Sequence, residues 1–216
     1  MRLTLGWLCL ASSLAAAGQS PSQTPLAELL KGVEDRYNRP KSMQLVFEQS
    51  HSGRGRITRS ESGTAYFLKP NRMRWDYSSP EGKLFLVDGQ FVYYYSPGAA
   101  RVEKTRVKEA DDLRVPLAFL MGRLDFYSQF KEFRTQPEGQ ATKVVGIPKS
   151  DKAPYREVEF LITPARQIRL VSVAGSDGSS MTFRFTGETA NPPLPASLFQ
   201  FKMPPGAELI DMGEQK

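Results

Sequence analysis

From residue 42 onward, apolar and polar residues alternate with a period of two in a series of short runs, each closed by a cluster of Gly, Pro, Asn, Asp or Ser. This is the pattern of half-buried β-strands joined by turns. It is densest from Gly63 to Pro97, GTAYFLKPNRMRWDYSSPEGKLFLVDGQFVYYYSP, where four apolar runs are separated by Lys69-Pro70-Asn71, Ser78-Ser79-Pro80-Glu81-Gly82 and Asp88-Gly89. Asp88-Gly89 reads as the positive-φ pair of a tight hairpin turn, and Ser-Pro-Glu-Gly as a looser turn. The stretch is predicted to be an antiparallel meander. Within it Met73, Trp75 and Tyr77 alternate with Arg72, Arg74 and Asp76, so one face of that strand is large and apolar and the other is charged.

The same alternation extends in both directions. Met43, Leu45 and Phe47 interleave with Gln44 and Glu48, and a Gly and Arg-rich turn, His51 to Arg56, leads into Ile57 to Ser60. A charged strand, Arg101 to Val107, passes into a polar linker, Lys108 to Asp112. Further strands are predicted over Phe130 to Gln136, Thr142 to Ile147, Tyr155 to Thr163, Gln167 to Ala174 and Met181 to Thr186. Gly175-Ser176-Asp177-Gly178 forms the turn between the last two. After the stiff Asn191-Pro192-Pro193-Leu194-Pro195, Leu198 to Met203 is read as one more strand. In Leu84 to Val87 and Phe91 to Tyr95 both alternating sets are apolar, and the pattern does not say which set faces inward.

Two segments change period. After Thr24, a candidate N-cap, and Pro25, suited to a first helical position, Leu26, Leu29, Leu30, Val33 and Tyr37 fall on one stripe opposite Glu28, Lys31, Glu34 and Asp35. This predicts an amphipathic helix that Pro40 ends. Val115 to Gly122 is apolar on all sides, which suits a short buried helix that either plugs a core or lids a cavity. Many short strands with helices only at the start and middle indicate a mainly β chain, one large antiparallel sheet that curls or closes. At 216 residues with 40% hydrophobic content, a single domain with one substantial core is expected.

Met1-Arg2 is followed by an apolar run, Leu3 to Ala17, too short to span a bilayer and ending in Ala15-Ala16-Ala17, a small-residue cleavage pattern. Residues 1–17 are read as a secretory signal peptide, and 18–216 as the mature domain. The only cysteine, Cys9, lies inside that signal, which leaves the mature chain without disulfides, thiolate metal sites or a cysteine nucleophile. Gly6-Trp7-Leu8 lacks the small residues that precede a lipidated cysteine, so a soluble exported protein is expected.

The formal charge of +6 is spread along the strands, which suits a solvated face or docking to an anionic surface. A stacking platform for nucleic acid needs aromatics and arginines on one face, and here they occupy opposite faces of Arg72 to Tyr77. No nucleic acid is expected. Enzymatic chemistry has little to draw on. His51 is the single histidine, Asp111-Asp112 sits in a polar linker, Glu157 and Glu159 share a strand face, and there is no phosphate-cradling glycine loop. Neither a catalytic group nor a cofactor or metal is expected. What remains is a sheet with one apolar face and covering helices, a shape that holds something apolar out of water.

Tyr66-Phe67-Leu68-Lys69-Pro70-Asn71-Arg72-Met73-Arg74-Trp75-Asp76-Tyr77, then Pro80, Leu86-Val87-Asp88-Gly89-Gln90 and Tyr93-Tyr94-Tyr95-Ser96-Pro97, resemble the central signature of the outer-membrane lipoprotein carrier family, LolA. The order of elements matches over most of the mature chain, and Pro116 to Gly122 falls where the family has its lid helix. The resemblance implies an unclosed β half-barrel, covered by an N-terminal helix and a short lid helix over a hydrophobic cavity. It implies a monomeric periplasmic carrier without cofactor. Such a carrier ferries acylated lipoproteins from an inner-membrane release complex to an outer-membrane acceptor. The expected cavity wall is Leu45, Phe47, Met73, Trp75, Tyr77 and Tyr93, and the expected lid residues are Leu117, Phe119, Leu120 and Met121. Where the family commonly has an Arg near the cavity mouth that matters for hand-over, this chain has Lys69, which keeps the charge but loses the planar fork of donors. Two other functions stay open on the residues alone. One is a carrier or sensor of another lipid. The other is a carboxylate-dependent hydrolase, which would need two acids converging in the inward face.

Overall fold

A computed structural model describes residues 25–53, 56–107 and 124–213. The expectations for residues 1–17, Cys9, Thr24, Asp111-Asp112 and the segment holding Leu117, Phe119, Leu120 and Met121 fall outside the described residues. The first element is the helix α1 (Leu26–Asn38), which buries Leu29, Leu30, Val33 and Tyr37. Pro25 is the residue before the helix rather than its first member, and its carbonyl accepts the first helical bond from Leu29 N. Lys31, on the outer side, pairs with Asp35 one turn on.

Twelve strands follow: β1 (Ser42–Gly53), β2 (Arg56–Leu68), β3 (Arg72–Ser79), β4 (Glu81–Val87), β5 (Phe91–Ser96), β6 (Arg101–Arg106), β7 (Phe130–Glu138), β8 (Ala141–Pro148), β9 (Tyr155–Ile162), β10 (Ile168–Gly175), β11 (Ser179–Ala190) and β12 (Glu208–Asp211). They form one sheet in the order β12-β6-β5-β4-β3-β2-β1-β11-β10-β9-β8-β7. Strand β1 lies in its middle, paired with β2 on one side and with β11, far along the chain, on the other. The sheet is open, with β7 and β12 as edges. A short helix, α2 (Phe126–Gln129), precedes β7 and is capped by the Asp125 carboxylate accepting from Ser128 N.

Three details depart from the sequence reading. Strand β12 runs parallel to β6, the one parallel pair among the described residues. Leu198 to Met203 is not a strand: Ala196–Phe199 is a single 3-10 turn, and the edge strand comes later, at Glu208–Asp211. Prolines at 192, 193 and 195 end the pairing of the chain beyond β11, and it crosses the outer face of β3 to β5. There Leu198 O accepts from Arg74, and Phe201 stacks on Tyr93. Asp88-Gly89 is not a two-residue pair of positive-φ residues. Only Gly89 is left-handed (φ 109°), while the Asp88 carboxylate closes the turn by accepting from Gln90 N and Phe91 N at 2.8 Å each.

Curvature follows from what shares a cavity. Val92 on β5 and Tyr155 at the start of β9 line the same cavity although seven strand steps separate them. In a flat sheet they would be about 34 Å apart. The sheet therefore curls, and the α1 stripe packs into the same core as the inward residues of β1 to β3 and β8 to β11.

Candidate functional site

The inward face encloses a cavity of about 860 Å³. Its apolar walls include Met73, Trp75, Phe85 and Val92 on one half of the sheet and Val173, Met181 and Phe183 on the other. Trp75 is the centre of an aromatic cluster, edge-on to Phe47 (4.6 Å between centroids), Phe67 (6.0 Å) and Phe183 (5.7 Å). Phe183 lies on the other half of the sheet, so this packing ties the two halves together beneath the cavity. At one end the lining is made of small residues from neighbouring hairpin ends: Ser52 and Gly53 of β1, paired with Ser180 and Ser179 of β11, and Gly175 of β10.

One end of the cavity is polar. Lys83 Nζ lies 2.7 and 2.6 Å from the two oxygens of Glu61 and sits over the Tyr77 ring, 4.2 Å from its centroid. Arg59 donates to the same carboxylate. Tyr77 OH donates to Gln49 Oε1 (3.2 Å), and the Gln49 amide nitrogen is 2.7 Å from His51 Nε2. Burial opposes the charge of Glu61, but the bonds from Lys83 and Arg59 outweigh it and hold the carboxyl below its usual pKa. Burial, with Glu61 opposing and Arg59 and Lys83 assisting, lowers the pKa of His51. Burial beside Glu61 raises that of Tyr77, which stays a neutral donor.

The residues expected at the site divide into three groups. Met73, Trp75 and Tyr77 line the cavity. Leu45 and Phe47 point the same way but lie in the packed core, 1% and 0% exposed, rather than on the open surface of the cavity. Tyr93 is a correction: it faces outward, stacked on Phe201 at 4.3 Å and 2°, while its neighbours Val92 and Tyr94 face the cavity. The run Phe91–Ser96 is apolar on both sets because both faces of this part of the sheet are covered, the outer one by the C-terminal segment. In β4 the inward set is Lys83 and Phe85, and Leu86 is buried outward, opposite Tyr93.

Lys69 is a correction of place. Its ammonium donates to the carbonyls of Tyr37 and Asn38 at the C-terminal end of α1, where helical carbonyls lack internal partners. Burial lowers its pKa. It adjoins Leu68, which pairs with Ser42 at the start of β1, whereas the β1 residues that line the cavity, Gln49, His51, Ser52 and Gly53, are at the other end of that strand. Three further contacts fix the same end of α1: Tyr37 OH to Glu188 Oε2 (2.7 Å), Arg36 to the same carboxylate, and Phe126 N to Glu34 (3.0 Å).

Of the acids considered for hydrolysis, Asp111 and Asp112 lie outside the described residues, Glu157 pairs with Arg134 and Glu159 with Lys143, and neither lines the cavity. Glu61, beside it, is held by Lys83 and Arg59. The pattern missed Gln49, His51, Arg59, Lys83 and Phe85. The first two carry a signal, since they continue the inward set of Met43, Leu45 and Phe47.

A model of the family described as outer membrane lipoprotein carrier protein LolA matches residues 38–202. An outer-membrane lipoprotein carrier protein of Aliivibrio salmonicida is 29% identical over 212 residues, covering 98% of this chain and 99% of the relative. One of Nitrosospira multiformis is 27% identical over 167 residues, covering 77% and 78%. Among solved structures, an uncharacterized conserved protein from Thermus thermophilus shares the fold, with a TM-score of 0.53 at 17% identity, covering 86% of this chain and 98% of that one.

Proposed function

This chain belongs to the LolA family of outer membrane lipoprotein carrier proteins, and on that premise we propose that it carries lipoproteins across the periplasm with their acyl chains inside the cavity of the half-barrel. The observation that carries the reading is the cavity itself: about 860 Å³, apolar on both halves of a curled sheet, with serines and glycines of neighbouring hairpin ends on its lining. That volume lies within the range of about 300–1,000 Å³ usual for ligand sites.

Binding and release need no covalent step. Each CH₂ moved from water into the cavity contributes about 0.8 kcal/mol, so a long chain is held firmly by contacts that are individually weak. Hand-over requires only that the next site hold the same chains better. The donor is an inner-membrane release complex and the acceptor an outer-membrane protein. The working form is a monomer of residues 18–216, exported by cleavage near Ala17. The Lys69 tie at the end of α1 is one of the contacts that must yield if α1 shifts to admit a larger load.

Native mass spectrometry of the mature protein from the periplasm of its host tests the proposal. Triacylated lipopeptide bound one to one is the expected result. A protein that comes out empty, and that takes no lipoprotein from an inner-membrane release complex supplied with it, overturns the reading.

A further inference from the structure

The polar end of the cavity has a donor surplus that its internal bonds do not consume. Tyr77 OH donates to Gln49 Oε1, so the atom of Gln49 that lies 2.7 Å from His51 Nε2 is its amide nitrogen, which can only donate. His51 Nε2 therefore accepts, and the neutral imidazole carries its proton on Nδ1, for which the described residues provide no partner. Burial and the two nearby cations keep the ring neutral near pH 7. Arg59 gives Nε and Nη2 to Glu61 and also bonds Tyr94, and its other N–H donors sit on a guanidinium whose side chain is 52% exposed. Both His51 and Arg59 line the cavity.

The buried acceptors at this end are occupied. The Glu61 carboxylate takes bonds from Arg59 and, through both oxygens, from Lys83. Charge is balanced as well, with Arg59 and Lys83 set against Glu61 and against Glu103, an exposed acid on the lining, and with Lys104 paired with Asp211. Free donors without net charge suit a neutral oxygen acceptor better than a second anion, which Glu103 would repel. We propose that His51 Nδ1–H and Arg59 form a receptor for the ester carbonyl of an acyl chain, so that the cavity distinguishes acyl esters from plain hydrocarbon. The inference rests on the acyl-carrier reading and adds the chemical group that is recognised.

His51 is the single histidine, so its ring signals in NMR need no assignment. Tag-free mature protein with ¹⁵N-labelled histidine is titrated with methyl hexadecanoate, with hexadecanoate and with hexadecane. Entry of chains is followed separately by quenching of Trp75, the single tryptophan after residue 17, with a brominated acyl ester. The ester is expected to move the Nδ1–H signal and hexadecane to leave it in place. His51→Phe and Arg59→Met are each expected to lower the preference for ester over hexadecane about tenfold, the weight of one good hydrogen bond in a dry site. Quenching of Trp75 with an unmoved histidine signal, or a preference unchanged in both variants, overturns the receptor and leaves the carrier standing. Tighter binding of hexadecanoate than of the ester, dependent on Arg59, also overturns it, in favour of a carboxylate site. No quenching with any chain defeats the carrier reading itself.

Discussion

Lys83 reaches from β4 over the ring of Tyr77 on β3 to place its ammonium 2.6 Å from Glu61 Oε2 on β2. Both side chains are removed from solvent, 0% exposed for Glu61 and 4% for Lys83. An ion pair so placed gains little over an apolar pair of the same shape, because desolvation consumes most of the attraction. What it does is leave no tolerable way to lose one partner alone.

Lys83→Met is therefore expected to destabilise the fold by about 3–5 kcal/mol, the cost of a buried carboxylate stripped of its main partner. Arg59, half exposed, compensates only in part. Glu61→Gln combined with Lys83→Met is expected to recover most of the loss. Urea denaturation of the two variants checks this: a double variant as unstable as the single would mean that the pair contributes through packing rather than charge.

Gly63 is required by a close approach. A β-carbon there would lie 2.0 Å from Asp76 O and 2.8 Å from Tyr77 Cα, on the next strand. This is where the β2 to β3 register shifts, between Ser62 and Gly63, and where Phe47 and Tyr77, the residues paired with Gly63 on either side, meet edge to face at 5.0 Å. Since the obstacle is backbone, Gly63→Ala must separate the strands. A loss of about 1–3 kcal/mol is expected, read as a lower denaturation midpoint. An alanine variant of wild-type stability would show that the strands do not run so close.

Lys69 acts on α1 rather than on the cavity surface. Lys69→Ala removes its bonds to the Tyr37 and Asn38 carbonyls and is expected to cost about 1 kcal/mol. The effect should concentrate in faster amide exchange at the C-terminal end of α1. Lys69→Arg should restore most of the protection, because its donors reach the same two carbonyls. Uniformly faster exchange over the whole sheet would contradict a local tie.

These residues also mark where the pattern of the chain was readable. In β1 and β3 one face is apolar and buried and the other carries polar and charged residues, so alternation alone placed Met73, Trp75 and Tyr77 inward. In β4 and β5 both faces are covered, the outer by residues 196–203, and a period of two carries no sign. That is why Tyr93 was expected on the wrong face. Lys83 illustrates a second blind spot: a lysine in an apolar run looks like the solvated side, whereas this one is buried by a partner 22 residues earlier. The C-terminal strand was misplaced because β12 pairs parallel to β6, a contact between segments about a hundred residues apart that no local pattern announces.

The polar end of the cavity also makes stability depend on pH, with one sign on the acid side. The folded protein holds the pKa of His51 below its usual value of 6.5, so as pH falls through that value the unfolded chain takes up the proton first. Stability declines from there down to the folded pKa. Glu61, also depressed from its usual 4.5, contributes stability that is present above that value and is lost as pH falls through the folded pKa. At the alkaline end, Tyr37 and Tyr77 are raised from 10.0, so stability declines again once the unfolded tyrosines ionise. A plateau between about pH 7 and 10 is expected, with two successive losses on the acid side. Because His51 is the single histidine, His51→Phe should abolish the first loss and leave the second, whereas Lys83→Met, by raising the Glu61 pKa, should diminish the second. Melting temperatures measured in half-unit steps from pH 2 to 8 separate the two. If wild type and His51→Phe keep the same slope between pH 7 and 5.5, the imidazole is not held neutral by its surroundings.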